Sequence, residues 1–270
     1  MNKTHYILLF VFVLSLSACE KVFDYSPYVI DFDEENSDIN HKSIQKILNQ
    51  NETDSVIRIA FTGDSHRAYD ELDEFVAAVN NFDKPIDFVV HVGDIADFGL
   101  PQQYLWGNEY LLKLNVPYIV VIGNHDLVSN GGEAYQEMFG VFNFSFIYKK
   151  TKFVVINTNS LEFDFNGKVP DVNWLDQQLK PDNSFTYAVV FFHVAPMHQE
   201  FDPDLIGPFN DVLAKYHNVV FVAHGHMHDY SVSKPYPNGI PYVNVYSVEH
   251  KKYNVIELKN DTFEVATYSF

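Results

Sequence analysis

Val56-Ile57-Arg58-Ile59-Ala60-Phe61-Thr62-Gly63-Asp64-Ser65-His66 is the stretch that decides the fold. A β-branched, apolar run stops abruptly at glycine, carboxylate and imidazole. The same order returns at Asp87–Val92, which ends in Gly93-Asp94-Ile95-Ala96-Asp97, and at Tyr118–Ile122, which ends in Gly123-Asn124-His125-Asp126. Asp64, Asp94 and Asn124 stand thirty residues apart, about the length of one strand–helix–strand unit. Between the first two runs, Leu72, Phe75, Val76 and Val79 recur at the spacing of one helix face. Tyr104, Leu105, Leu111 and Leu112 predict a second helix over 102–114, after Pro101. Strands alternating with helices predict a parallel sheet with helical crossovers.

Working outward, the second half is strand-rich. Candidates are Phe144–Tyr148, Lys152–Asn157, Thr186–Phe192 and Val219–Ala223, then 228–233, 242–247, 252–258 and 262–267. Helices are predicted at 171–180 and 204–216. Together these give an α/β fold of four layers, αββα, with two mixed sheets flanked by helices.

Composition narrows the function. Of 270 residues, 36 are Asp or Glu and 18 are Lys or Arg, a net charge of −18. Non-specific nucleic-acid affinity comes from cations that neutralise phosphates, so no nucleic-acid partner is expected. A single cysteine excludes an intrachain disulfide, thiolate zinc fingers and cysteine-ligated iron–sulfur clusters.

The chain divides into three parts. In residues 1–18, Lys3 precedes an apolar run from Ile7 to Leu16, too short to span a bilayer as a mature helix but suited to a signal-peptide core. It ends in Leu16-Ser17-Ala18-Cys19, small residues before a cysteine that resemble the lipobox of bacterial lipoproteins. That resemblance implies cleavage before Cys19, acylation of Cys19, and anchoring in a bacterial cell envelope, periplasmic or surface-facing. An ordinary signal peptide with an incidental cysteine is the alternative. Residues 19–54 are acidic and Asn-rich and read as a solvated tether, or as an arm docked through Phe23, Tyr25, Tyr28 and Phe32. Residues 55–270 read as one domain.

Two further motifs come after apolar runs: His193, and Gly225-His226-Met227-His228. With the three above, five motifs end five strands. Parallel strands present their carboxyl ends on one edge, where open α/β sheets bind ligands. The side chains gathered there are Asp, Asn and His, the oxygen and nitrogen donors that suit Mn, Fe or Zn. Taken singly, an Asp after a strand is often a helix cap and a strand histidine is often packed in a core. All five in this order are hard to obtain from capping alone.

The set resembles the calcineurin-like metallophosphoesterase superfamily, whose pattern is D-x-H, G-D-x-x-D, G-N-H-D/E, H and G-H-x-H. The resemblance implies a β-sandwich flanked by helices and a centre of two metal ions. Asp64, His66 and His228 would hold one ion, Asn124, His193 and His226 the other, and Asp94 would bridge both. It also implies hydrolysis by metal-activated water, with His125 as general acid and Asp126 orienting it. Asp97 would stand behind the ligands; His224, which the family motif does not require, reads as standing behind them or as packing. The purple acid phosphatases carry Tyr where Asp97 stands, so their coloured tyrosinate–iron centre is not expected.

Arg67 directly follows a ligand candidate. It is read as a clamp for a phosphoryl oxygen, against a salt bridge to Asp70 or Glu71. His198 follows Pro196-Met197 in a loop and is a weaker substrate contact, while His91 reads as a core histidine. Loops 127–135, 158–170, 195–208 and 231–241 should frame the pocket, offering Phe163, Phe165, Phe201 and Tyr236. The expected substrate is a phosphomonoester or small phosphodiester. A pyrophosphate or phospholipid headgroup, and a catalytically inactive envelope binding module, remain alternatives.

Overall fold

The computed structural model describes residues 26–50 and 54–270. The expected signal segment, Cys19, Phe23 and Tyr25 lie outside the described residues. Among the described residues, no helix is long and apolar enough to cross a membrane.

Three parallel strands, β1 (Ile57–Thr62), β2 (Phe88–His91) and β3 (Tyr118–Val120), are joined by helices α2 (Tyr69–Asn80) and α3 (Pro101–Leu111). The final hairpin, β10 (Lys252–Lys259) and β11 (Thr262–Ser269), completes a five-stranded sheet in the order β11-β10-β1-β2-β3. The second sheet has the order β4-β5-β6-β7-β9-β8. Its strands are β4 (Phe144–Tyr148), β5 (Thr151–Val155), β6 (Tyr187–Phe191), β7 (Val219–His224), β8 (Ser231–Ser233) and β9 (Tyr242–Asn244). Helices α5 (Val172–Leu179) and α6 (Ile206–Lys215) cover its outer face.

The central strands alternate between two apolar layers. In β2, Val89 packs towards the helices, and Phe88 and Val90 pack between the sheets. The inter-sheet layer is rich in aromatics: Phe61 meets Phe191 edge-on at 5.6 Å, and Phe88 meets Phe153 at 5.3 Å. Edge-to-face pairing of this kind adds about 0.5–1.5 kcal/mol beyond burial. The layering is the αββα arrangement expected.

Two helices were not legible in the sequence. In α1 (Ile39–Leu48), Ile39 and Ile47 are buried. Asn40 is buried too, and its amide accepts from the Val120 N–H at 2.8 Å and donates to the Val120 carbonyl at 2.9 Å. The side chain thus supplies β3, an edge strand, with the partner it lacks. Ile30 and Phe32 also pack against the core, so this part of the arm is docked. The second helix, α4 (Gly131–Phe139), takes up much of the stretch expected as loop 127–135.

Candidate metal centre

All the donor-bearing motifs lie at one edge of the sandwich. Register places Thr62 opposite His91 and His91 opposite Val120, so β1, β2 and β3 end level with one another. In the other sheet, Val155, Phe191 and Ala223 are level. The first sheet delivers Asp64, His66, Asp94 and Asn124, and the second delivers His193, His226 and His228.

The turns that carry these residues are strained. Asp64, Asp94, His226 and His228 adopt φ of 49°, 62°, 72° and 61°, in the left-handed region. Non-glycine residues there cost about 1 kcal/mol or more each and persist where surrounding contacts enforce them. Gly123 shows how tight the approach is, because a Cβ there would collide with the Asp94 carboxylate.

Around one point, His193 Nε2 lies 3.2 Å from Asp94 Oδ2 and 3.1 Å from Asn124 Oδ1. His226 Nδ1 lies 3.1 Å from the same Asn124 oxygen. Ligands bonded at about 2.1 Å to one ion stand about this far apart. On the other side, Asp64 Oδ1 lies 3.5 Å from His228 Nε2. Asp64 Oδ2 and both ring nitrogens of His66 are buried without a hydrogen-bond partner. Unpaired buried polar atoms are costly, and a cation between Asp64 and His66 would satisfy Asp64 Oδ2 and one of the two ring nitrogens, the Nδ1 edge lying 3.5 Å from Asp97 Oδ1.

The outer nitrogens support the same reading. His193 Nδ1 faces the Val92 carbonyl at 2.7 Å, and His228 Nδ1 faces Glu249 Oε1 at 3.1 Å. An N–H donated outward leaves the other nitrogen bare for a metal. His66, Asp97 and His125 also cluster, but Asp97 already accepts two hydrogen bonds from Arg67 and faces His125, so Asp97 and His125 stand behind the site.

Electrostatics are those of crowded donors. Burial, reinforced by Asp94 and relieved by His193, pushes Asp64 up to about 6. Burial also acts to raise Asp94, but the charge and hydrogen bond of His193 overcome it and hold Asp94 well below the usual carboxylate range. Burial acts to lower His193, yet Asp94 and Asp64 drive it up to about 10. Metal binding at His193 therefore has to release a proton.

The sequence motifs match the calcineurin-like phosphoesterase family over residues 57–230. The chain belongs to that family. Members of this family are metal-dependent phosphoester hydrolases, and the donor set fits two ions. Over 185 residues the chain is 28% identical to the protein named "Probable glycerophosphodiester phosphodiesterase" from Arcobacter nitrofigilis. That match takes in 63% of this chain and 66% of the relative, just under two thirds of its length. A dimetal phosphatase from Danio rerio superposes with a TM-score of 0.60 at 15% identity, over 80% of this chain and 100% of that one. A purple acid phosphatase from yellow lupin gives a TM-score of 0.60 at 16% identity, over 79% of this chain and 51% of that one. These two likenesses concern the fold.

Several expected roles change. Asp126 does not orient His125. Its buried carboxylate accepts the backbone N–H groups of Asp94, Gly123 and Ala96 at 2.8–2.9 Å, tying together the turns after β2 and β3. Asp97 faces the imidazole instead: His125 Nδ1 lies 3.0 Å from its carbonyl and 3.3 Å from its carboxylate. Arg67 is neither a free clamp nor paired with Asp70 or Glu71. Its Nε and Nη2 each donate to Asp97 at 2.6 Å, and those hydrogen bonds hold Asp97 below the usual carboxylate range. His224 is buried and stacks on Phe192 at 5.6 Å, which makes it a packing residue. His91 is a core residue, bonded to Ser65 Oγ at 2.8 Å. Phe201 is buried in the core behind the second sheet, and Tyr236 packs on that core and lines a cleft beside α6, so neither frames the metal site. Glu249, far from any motif, gave no sequence signal.

The new role of Asp126 has a measurable outcome. Asp126→Ala leaves three buried N–H groups without acceptors, each costing about 1–3 kcal/mol. A thermal melt should show a loss of about 10 °C or more for a chain of this size. A variant that melts like wild type yet has lost all turnover would return Asp126 to the reacting groups.

Proposed function

We propose that this chain hydrolyses phosphomonoesters or small phosphodiesters at a two-ion centre, in a bacterial cell envelope, anchored through acylated Cys19. The observation that carries the catalytic part is the position of Asp94. Its Oδ2 faces His193, its Oδ1 accepts the backbone N–H of His125 at 2.9 Å, and its charge acts also on Asp64 and His66 of the other group. The name of the Arcobacter relative supports phosphodiesters among the substrates. Mn, Fe and Zn all fit the donor types.

Bound ions would polarise phosphoryl oxygens and lower the pKa of a water. The chain's own residues do the rest. Asp64, His66, Asp94, Asn124, His193, His226 and His228 set the ion positions. Asp97 holds His125 through Nδ1, leaving Nε2 for the departing oxygen. Arg67 fixes Asp97 in turn. Purified protein, assayed against mono-, di- and pyrophosphate esters with each metal, tests the reading. Failure to hold two ions per chain, or no turnover of any phosphoester, would sink it and favour a binding module.

The anchor rests on Lys3, the run Ile7–Leu16 and Leu16-Ser17-Ala18-Cys19. Cys19→Ser is expected to abolish lipid labelling and move the protein from the membrane to the soluble fraction. A variant that stays with membranes through a high-salt wash would show another anchor.

A further inference from the structure

His226 belongs to two clusters at once. Its Nδ1 faces Asn124, Asp94 and His193. Its Nε2 points the other way, to His198 Nδ1 at 3.0 Å and Glu200 Oε2 at 3.4 Å. The rings of His226 and His198 meet nearly edge-on, at 77° with centroids 4.2 Å apart. Glu200 Oε2 is buried and has no hydrogen-bond partner.

The protons can be traced. The backbone N–H of Glu200 approaches His198 Nδ1 at 3.4 Å. An amide can only donate, so His198 Nδ1 carries a lone pair and its proton sits on Nε2. The Glu200 contact is long, so that single lone pair serves chiefly the proton on His226 Nε2, 3.0 Å away. A neutral His226 protonated there presents a bare Nδ1, the nitrogen that faces Asn124 and His193.

The loop after β6 makes this arrangement rigid. The His198 N–H bonds the Ala195 carbonyl at 2.9 Å, and the His198 carbonyl accepts from Phe201 at 3.1 Å. Phe201 is buried beneath, and the Glu200 carbonyl accepts from Leu161 at 3.2 Å. The loop that begins with one ligand, His193, thus supports a second, His226, through His198 five residues further along.

We infer that His198, with Glu200 beside it, is a positioning residue that fixes the proton and the aim of His226 and so sets the affinity of the second ion. This rests on the two-ion reading above. The rival is a third ion held by His198, Glu200 and His226. The proton on His226 Nε2 opposes it, because that nitrogen would have to lose the proton to bind a further ion.

Manganese titration of the full purified chain decides, read by metal analysis and by the spin-coupling signature of a two-manganese centre in electron paramagnetic resonance. His198→Phe fills the ring volume without an acceptor, and His198→Ala is the alternative if it misfolds. Either is expected to weaken the second ion by ~10–100-fold, the usual consequence of removing an outer partner, with the first ion within about twofold of wild type. Turnover should recover near-normal kcat at saturating manganese. His198→Gln keeps an acceptor and should restore most of the affinity. Unchanged affinities in His198→Phe, equal losses at both ions, or a third wild-type ion lost in the variant would each overturn the inference. A wild-type chain that never holds two ions would instead overturn the two-ion reading, and the inference with it.

Discussion

Asp94→Asn is expected to hold at most one ion per chain and to turn over phosphoesters about 10³-fold more slowly, since several kcal/mol of charge stabilisation corresponds to roughly that factor. Asp94 is fully buried, and both oxygens are committed. Oδ1 accepts the His125 backbone N–H at 2.9 Å, and Oδ2 faces His193 Nε2 at 3.2 Å. An amide keeps the shape but presents an NH₂ at one of these places, where it meets either an N–H or a cation. It also removes the negative charge that offsets the ions. Asn124→Ala serves as the comparison, because the proposed centre assigns Asn124 to one ion only. Metal analysis and steady-state rates on both variants test the assignment. An Asp94→Asn protein with two ions and near-normal turnover would remove Asp94 from the bridging position.

The second large effect is chemical in its signature. His125→Ala should lower kcat/KM for alkyl or nucleoside phosphate esters by about 10²–10⁴-fold, the usual contribution of proton transfer in a transition state. Loss on p-nitrophenyl phosphate should be far smaller, because nitrophenolate leaves without much help from an acid. Metal content should stay close to wild type, since His125 contributes its backbone N–H to Asp94 and its ring to Asp97. The ring also stacks on His66 at 4.6 Å, so metal occupancy has to be checked alongside the rates. Equal losses on both substrates would mean that His125 only positions the phosphoryl group.

Much of this site was legible because its residues come at the ends of strands. Apolar runs such as Phe88–His91 announce themselves, and the residues just after them must lie on one edge of the sheet. The gathering of these donors at one edge needed no knowledge of tertiary contacts beyond that. Roles that depend on contacts across the edge were not legible. Asp126 sits beside His125 in sequence, which invited pairing them, yet its carboxylate turns inward to backbone amides. Arg67 finds Asp97 thirty residues away rather than an acid on its own helix. Helix α1 was hidden because its buried face includes Asn40 and Ser43 among few aliphatics. Its docking depends on an amide-to-backbone match with Val120 that no hydrophobic periodicity records. Helix α4 begins with two glycines, Gly131 and Gly132, which read as loop.

The division of ligands between the sheets has a mechanical consequence. Asn124 of one sheet and His193 of the other are 69 residues apart in the chain and 3.1 Å apart at the site. An ion gripping both, as proposed, would be a rivet through the sandwich, closing a long loop as a disulfide would. The chain has only Cys19, so it cannot make that rivet from sulfur. A ligand present at 100 times its dissociation constant stabilises the folded state by about 2.7 kcal/mol. A chelator should therefore act on this protein as a reducing agent acts on a disulfide-bonded one, loosening the seam between the layers first. Loss of metal then ends catalysis and begins unfolding at the same joint.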